Sequence, residues 1–200
     1  FENIMMDEQK IGPEDEKNSV KEQLAYHYRC ILSLLGEDVE REGLKKTPER
    51  VAKAMMFLTK GYKQSAKEIL SSARFKYEGT QMVVVKDIEF YSMCEHHILP
   101  FFGKVHIGYI AADQIVGLSK IPRLVDAFAR RLQVQERFTT EMMNALSCEL
   151  STHGVIVLVE ARHLCMQMRG VEKQDSSTVT CDFCGDFKNE SLRQEFYRRI

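Results

Sequence analysis

Residues 82–97 read MVVVKDIEFYSMCEHH, and this stretch is central to the prediction of the fold. Its first part, MVVVKDIEF, is rich in β-branched side chains, which favour a strand. The strand leads directly into one cysteine and two consecutive histidines, Cys94, His96 and His97. The stretch therefore places a cluster of metal-binding or acid–base side chains at the end of a predicted strand.

The sequence after this stretch alternates between strand and helix patterns. Further strands are predicted for KVHIGYI (104–110), GVIVLVEARH (154–163) and STVTCDF (177–183). Helices are predicted for GLSKIPRLVDAFARRL (117–132), QERFTTEMMNALSCEL (135–150) and residues 190–200. Antiparallel strands packed against two long helices form an α+β domain, to which we assign residues 76–200.

The sequence before this domain has a helical pattern. Apolar residues recur at helical spacing from Ser19, and KTPERVAKAMMFLTKGY (46–62) predicts a second helix with Thr47 as its N-cap. We assign residues 19–75 to a helical region. Residues 1–18 are polar and acidic, and we expect them to form a flexible tail.

The composition excludes several classes of protein. The chain has 200 residues, of which 44% are hydrophobic and 28% charged, as is ordinary for a globular domain. A net charge of −1 provides no basic field for nucleic acid. No apolar run approaches the roughly 18 residues that cross a bilayer, and no signal-peptide pattern is present. We therefore expect a cytoplasmic protein that binds neither nucleic acid nor membrane, with cysteines that are metal ligands or free thiols.

The segment CEHH contains a C-x-x-H pair, Cys94 and His97. Two such ligands on a turn can reach one zinc ion, because Zn–S and Zn–N bonds are only about 2.0–2.3 Å long. The segment ARHLCMQMRG (161–170) supplies His163 and Cys165 just after a predicted strand. Three protein ligands with one open position are typical of catalytic zinc, whereas structural zinc sites are closed by four ligands.

A second cysteine pair, Cys181 and Cys184 in TCDFC, offers a different reading. Combined with Cys94 and His97, it would form a closed structural zinc site. Residues three apart on an extended strand point to opposite faces, which argues against this site, although Gly185 follows as in zinc knuckles. The sequence leaves both alternatives open. The other two cysteines, Cys30 and Cys148, lie in predicted helices, and we expect them to be buried free thiols.

Phosphate binding, if present, must rely on side chains, because the chain contains no Walker pattern. The candidate cations are Arg50, Lys53, Lys120, Arg123 and Arg169. A solvated helix face is the more usual explanation for each of these cations. Lys120 and Arg123 differ from the others because they lie, with Ser119, at a predicted helix N-terminus, whose dipole favours an anion.

Gln135 and Glu136 stand at the start of the next predicted helix. Polar residues are common at this position because they complement the helix dipole. A functional alternative is that a carboxylate here accepts hydrogen bonds from the N1–H and N2–H₂ edge of a guanine.

The motifs CEHH, GLSKIPR, QVQER, HLCMQMRG and the TPERVAK helix, taken in order, resemble those of the GTP cyclohydrolase I family. The resemblance runs from roughly residue 20 to residue 200. It implies conversion of GTP and water to 7,8-dihydroneopterin triphosphate and formate, the first step towards tetrahydrofolate or tetrahydrobiopterin. It also implies the tunnelling fold and a toroidal homodecamer of two pentamers, with active sites between subunits. Whether a regulatory protein controls the activity is left open.

The same resemblance implies a role for each candidate site residue. Cys94, His97 and Cys165 would bind zinc, and His96 and His163 would be catalytic. Guanine recognition falls to Gln135 and Glu136, the ribose region to Ser119 and Lys120, and triphosphate binding to Arg50, Lys53, Arg123 and Arg169. The family's motifs do not include Cys181 and Cys184.

Two other functions compete with this interpretation. Another tunnelling-fold enzyme, such as a pyruvoyltetrahydropterin synthase, would carry a ligand set of three histidines, which this chain does not present. A non-catalytic interaction module stabilised by zinc would instead use Cys94, His97, Cys181 and Cys184.

Overall fold

The structure, a computed structural model, describes the backbone of residues 13–200 and the side chains from residue 19 onward. A flexible tail is predicted for residues 1–18, of which residues 1–12 lie outside the described residues. From Pro13 onward the chain is helical, and residues 13–18 are part of this helix. The described part of the chain divides into two compact units, with the boundary between Phe57 and Leu58.

The first unit contains the helices α1 (Pro13–Leu34) and α2 (Thr47–Leu58), the second of which ends one residue beyond the boundary between the units. The helix α1 begins earlier than the predicted start at Ser19. Just after α1, Gly36 adopts a φ of +86°, a left-handed conformation in which glycine is favoured after a helix. The helix α2 begins at Thr47, which the sequence predicts as the N-cap, so the helix starts one residue earlier than predicted.

The second unit contains the other helices and all strands of the described residues. In chain order they are α3 (Ala66–Ser71), β1 (Arg74–Lys76), β2 (Met82–Cys94), β3 (Pro100–Ala111), β4 (Gln114–Val116), α4 (Lys120–Ala129), β5 (Leu132–Gln133), α5 (Gln135–Glu149), β6 (Thr152–His163), α6 (Leu164–Gln167), β7 (Thr178–Gly185) and α7 (Glu190–Arg199). The short 3₁₀ turns Lys60–Lys63 and Asp186–Lys188 complete the unit.

The main sheet has five strands in the order β5-β2-β3-β6-β7. Its long strands pair antiparallel, and the two-residue strand β5 pairs parallel with the end of β2. The strands β1 and β4 form a separate antiparallel pair. Together with the helices, this arrangement confirms the predicted α+β class.

The helices α4 and α5 cover one face of the sheet, where the main hydrophobic core lies. The ring of Phe90 lies 5.7 Å from that of Phe101 and 4.9 Å from that of Phe138, between centroids. On the opposite face, Phe196 of α7 packs over Gly108, where an added Cβ would come within 2.8 Å of the phenylalanine ring. A glycine is therefore required for this close contact.

The prediction that Cys30 and Cys148 are buried is wrong for Cys148, which is exposed on α5, and Cys30 is only partly buried. The core side of α5 is occupied by Phe138, Met142 and Leu146, so Cys148 falls outside it.

Among the described residues, none of the helices has the length and apolar character needed to span a membrane.

Candidate active site

The turn between β2 and β3 holds the CEHH segment. The carbonyl oxygen of Cys94 accepts hydrogen bonds from the backbone N–H groups of His97, at 3.4 Å, and Ile98, at 2.8 Å. The N–H of Cys94 donates to the carbonyl of Leu99 at 2.8 Å. Ile98 has a φ of +54°, a conformation that costs a β-branched residue about 1–3 kcal/mol. The tight turn brings Cys94 and His97 together, as the spacing of the pair predicts.

The third member of this cluster, Cys165, lies on α6, directly after β6. The potential ligand atoms of Cys94, His97 and Cys165 all lie within 4.8 Å of one another, and no other such group of three occurs among the described residues. The Sγ of Cys94 lies 3.9 Å from Nδ1 of His97, close to the separation of about 3.6 Å between sulfur and nitrogen ligands of a tetrahedral zinc ion.

The chemistry of this donor set fits a divalent cation. Burial raises the pKa of the Cys165 thiol, and the neighbouring Cys94 raises it further. Two neighbouring thiols in such a site resist ionisation to thiolates, because burial and the repulsion between two negative charges both disfavour the charged form. A cation bound between the sulfurs would instead favour the thiolates. Sulfur and imidazole ligands are those that zinc prefers.

The second cysteine pair does not join this cluster. Cys181 and Cys184 both lie on β7, where Cys184 packs against the main core and Cys181 is exposed. The Sγ of Cys181 lies 3.5 Å from the hydroxyl of Tyr197 on α7. The alternation of strand side chains therefore separates the two sulfurs, as the sequence argument expected.

Two histidines lie beside the cluster without belonging to it. The Nδ1 atom of His96 lies 4.0 Å from the Sγ of Cys94. His163, at the end of β6, is stacked on Phe101, with ring centroids 4.7 Å apart and an interplanar angle of 1°. Burial lowers the pKa of His163, and the carboxylate of Glu136 acts in the opposite direction.

The side chain of Gln135 is 2% exposed and holds His163 in place. Its amide nitrogen lies 3.2 Å from the carbonyl oxygen of Val159, 2.9 Å from that of Thr178 and 3.1 Å from the hydroxyl of Thr180. Since carbonyl oxygens only accept hydrogen bonds, the amide nitrogen must face them, and Oε1 faces Nε2 of His163 at 2.7 Å. The imidazole therefore donates from Nε2, which leaves Nδ1 as the nitrogen able to exchange a proton.

A cavity of about 220 Å³ connects these groups. It is lined by Cys94, His96, His97, Gln133, Val134, Gln135, Glu136, His163, Cys165, Met166 and Thr178. One cavity thus collects all the residues predicted for metal binding, catalysis and guanine recognition. The metal-binding and catalytic candidates come from two chain segments, and the guanine candidates come from the start of α5.

The residues predicted to bind ribose and triphosphate are distributed differently. Arg169 donates from Nη1 to Nε2 of His97 at 2.8 Å and so lies at the metal cluster. Three candidates lie on or next to α4, namely Ser119, Lys120 and Arg123. In the part of the chain that the structure describes, none of these three lines the cavity. Arg50 and Lys53 lie on α2, mainly in the first unit. These assignments stay predictions.

An ion pair that the sequence did not predict joins Glu95, in the CEHH turn, to Arg137 on α5. The guanidinium of Arg137 lowers the pKa of the Glu95 carboxyl through a hydrogen bond, and this bond in turn raises the pKa of Arg137. No local pattern could have predicted a contact between positions so distant in the sequence.

Comparison with known proteins identifies the family. The sequence model of GTP cyclohydrolase I matches residues 24–200. A GTP cyclohydrolase 1 of Porphyromonas gingivalis is 59% identical over 187 residues, which cover 94% of this chain and 97% of that protein. Another of Campylobacter jejuni is 54% identical over 173 residues, which cover 86% of this chain and 91% of that protein.

Among solved structures, the apo form of the archaeosine synthase QueF-Like has a TM-score of 0.44 at 14% identity, covering 54% of this chain and 97% of that one. A structural similarity at this level supports neither a fold assignment nor a functional one. The match to the family model and the relatives of more than 50% identity over nearly the whole chain decide the question. The chain belongs to the GTP cyclohydrolase I family.

Proposed function

We propose that the protein converts GTP and water to 7,8-dihydroneopterin triphosphate and formate, with a zinc ion bound by Cys94, His97 and Cys165. One observation carries the proposal: three zinc-type ligand atoms lie within 4.8 Å of one another at a cavity that two further histidines line. Three protein ligands leave the open coordination position that a catalytic zinc requires.

The chemistry of the reaction accounts for this combination of residues. C8 of guanine is a poor electrophile, so hydrolysis at neutral pH needs a hydroxide. A zinc ion held by Cys94, His97 and Cys165 would supply one, because a zinc ion with an open position lowers the pKa of bound water to about 7. Protonation of N7 makes C8 more electrophilic, and a histidine suits this role because its ordinary pKa is about 6.5.

We assign His163 and His96 to proton transfer. Gln135 keeps the Nε2 proton of His163 in place, so the free Nδ1 is the atom that exchanges a proton with the substrate. After the ring opens, hydration of the formamide releases formate. The later steps, which open the ribose, rearrange it and close the new ring, move protons near the sugar and need an acid–base group there.

Guanine recognition is assigned to Glu136 and Gln135. The carboxylate of Glu136 is at the cavity and can accept from both N1–H and N2–H₂ of the base. Four groups already use the side-chain amide of Gln135, so any contact from this residue to the base falls to its backbone N–H at the start of α5.

The triphosphate carries about four negative charges, so about four cationic side chains would be needed to hold it without a magnesium ion. The candidates are Arg50, Lys53, Arg123 and Arg169, with Ser119 and Lys120 for the ribose. In the family's tunnelling fold and toroidal homodecamer, active sites lie between subunits, so several of these side chains would come from neighbouring copies. A cytoplasmic location completes the proposal.

The test is incubation of the purified protein with GTP, followed by oxidation and measurement of pterin fluorescence, with formate measured in parallel. We expect fluorescent product together with an equal amount of formate. A chelator should abolish both signals, and added zinc should restore them. Consumption of GTP without formate, or turnover that resists complete removal of metal, would contradict the proposal.

A further inference from the structure

The ion pair between Glu95 and Arg137 lies beside the cavity. Neither of the two side chains is among the described residues that line this cavity. The two side chains are 33% and 43% exposed, respectively. An isolated pair at this exposure contributes little to stability, because water and salt screen it and two long side chains must be ordered. Its importance must therefore come from what it connects.

Arg137 is held by more than the carboxylate. Its Nε donates to Oε1 of Gln133 at 3.1 Å, and its Nη2 donates to the carbonyl of Leu132 at 3.1 Å. Gln133 is 1% exposed, and its own amide nitrogen donates to the carbonyl of Phe128 and to the carboxylate of Glu141, both at 3.0 Å. These contacts hold the guanidinium in its orientation independently of Glu95. Formation of the ion pair therefore costs little additional side-chain entropy.

The backbone makes a second attachment at the same place. The N–H of Glu95 donates to the carbonyl of Gln133 at 3.0 Å, and Cys94 is paired with Gln133 in the β2–β5 ladder. The turn that carries the proposed zinc ligands is therefore attached twice, by backbone and by side chain, to the segment from Leu132 to Arg137. This segment also contains Gln135 and Glu136.

The rigid shape of guanine explains why this double attachment would matter for the reaction. Guanine is rigid, and the edge that Glu136 would read lies at the opposite end of the purine from C8. The protein must therefore hold two points at a set separation, the base-reading carboxylate on α5 and the metal ligands on the turn. A displacement of about 1 Å between such points can cost on the order of 100-fold in rate.

We propose that Glu95 and Arg137 are a positioning pair that sets the spacing between the proposed metal site and the guanine-reading start of α5. The inference rests on the proposed function. Among the described residues, neither Glu95 nor Arg137 belongs to the candidate metal cluster or lines the cavity. The pair acts by fixing how the turn is oriented relative to Glu136.

The test uses the full-length protein loaded with zinc and four variants: Glu95→Gln, Arg137→Met, Arg137→Lys and the double variant Glu95→Gln/Arg137→Met. The matched control is Lys104→Met, which breaks the exposed ion pair with Asp87 on the sheet, at 2.7 Å, and leaves the site untouched. The readouts are formate release in a single turnover, the KM for GTP, zinc affinity by competition with a chromophoric chelator, and the melting temperature.

We expect Glu95→Gln and Arg137→Met each to slow formate release by roughly 10- to 100-fold. Zinc affinity should stay within about threefold of the parent, because all three ligands remain. The double variant should be no slower than the slower single variant, because both changes break the same unit. Arg137→Lys keeps the charge but loses the fork of donors, so its rate should fall between those of Arg137→Met and the parent.

Three results would overturn the inference. One is single variants that release formate within about twofold of Lys104→Met. Another is a double variant whose loss equals the product of the two single losses, as for independent residues. The last is a 10- to 100-fold fall in zinc affinity, which is roughly what the loss of a direct partner of a ligand causes. A parent protein that releases no formate from GTP would instead refute the proposed function itself.

Discussion

Two segments of this chain carry metal-type residues at the same spacing, and only one of them forms a cluster. Cys94 and His97 are three positions apart on a turn, and their side chains meet. Cys181 and Cys184 are also three positions apart, but they lie on the strand β7 and point to different faces. The comparison shows that spacing indicates a metal site only together with the local backbone conformation.

The sharpest test of this comparison removes one sulfur from the cluster at Cys94 and His97 and, in a separate variant, both sulfurs of β7. We expect Cys165→Ser to lose bound zinc and to lower GTP turnover by more than about 100-fold, because a catalytic zinc site does not survive the loss of one of three ligands. The double variant Cys181→Ser/Cys184→Ser should keep both properties within about twofold of the parent, because its sulfurs lie outside the cluster. Elemental analysis of zinc per chain and the pterin fluorescence assay measure the two effects.

The reverse pattern would contradict the assignment of Cys165 to the metal site and the exclusion of Cys181 and Cys184 from it. In that case the C-x-x-C pair would close a structural site in the functional protein, and Cys165 would be dispensable. A loss of zinc in all the variants would mean that both segments contribute to one site.

The next test separates the proposed metal ligands from the proposed acid–base groups of the same site. His163→Ala should keep zinc and the fold, while turnover falls by about 10²- to 10⁴-fold, the usual contribution of a general acid or base. His153→Ala, at the opposite end of β6 and exposed, is the matched control and should be near the parent. If zinc is lost with His163, this residue is a ligand and the three-ligand site is wrong.

The smallest effect distinguishes the two cysteines of β7 from each other. Cys184 packs against the main core, so Cys184→Ser should lower the free energy of unfolding by about 1 kcal/mol, because a hydroxyl replaces an apolar contact. Cys181→Ser, on the exposed side, should change it by less than about 0.5 kcal/mol. Chemical denaturation at one fixed protein concentration measures both changes in the free energy of unfolding. Equal losses would mean that the two faces of β7 are equally covered in solution.

The sequence predicts the parts of this molecule that depend on local patterns. The strand in residues 82–90 is rich in β-branched side chains, and the helices α4 and α5 have apolar faces. The candidate ligands Cys94 and His97 share one turn, so each of these features can be recognised from neighbouring residues alone. The resemblance in five motifs added Cys165 and His163, which local spacing could only suggest as candidates.

The interactions that no local pattern reveals are those between distant positions. The amide of Gln135 meets Val159, Thr178 and Thr180 only because α5 packs on β6 and β7. Arg137 reaches Glu95 only because the two-residue strand β5 pairs with β2, and a strand so short leaves almost no signal in a sequence. The exposed Cys148 was mispredicted because an apolar residue type says little about which side of a helix faces the core.

The register of the sheet also has a consequence for the order of events in folding. Phe101 is paired with His163 across β3 and β6, and this pairing brings Cys165 to the turn that holds Cys94 and His97. During synthesis, the two candidate ligands Cys94 and His97 leave the ribosome well before Cys165. If the proposed zinc site forms, a half-built site with two ligands would hold zinc weakly, so firm metal capture would have to wait until β6 has aligned with β3. Metal uptake would then be a late event in the maturation of this chain, with a correctly registered sheet as its precondition.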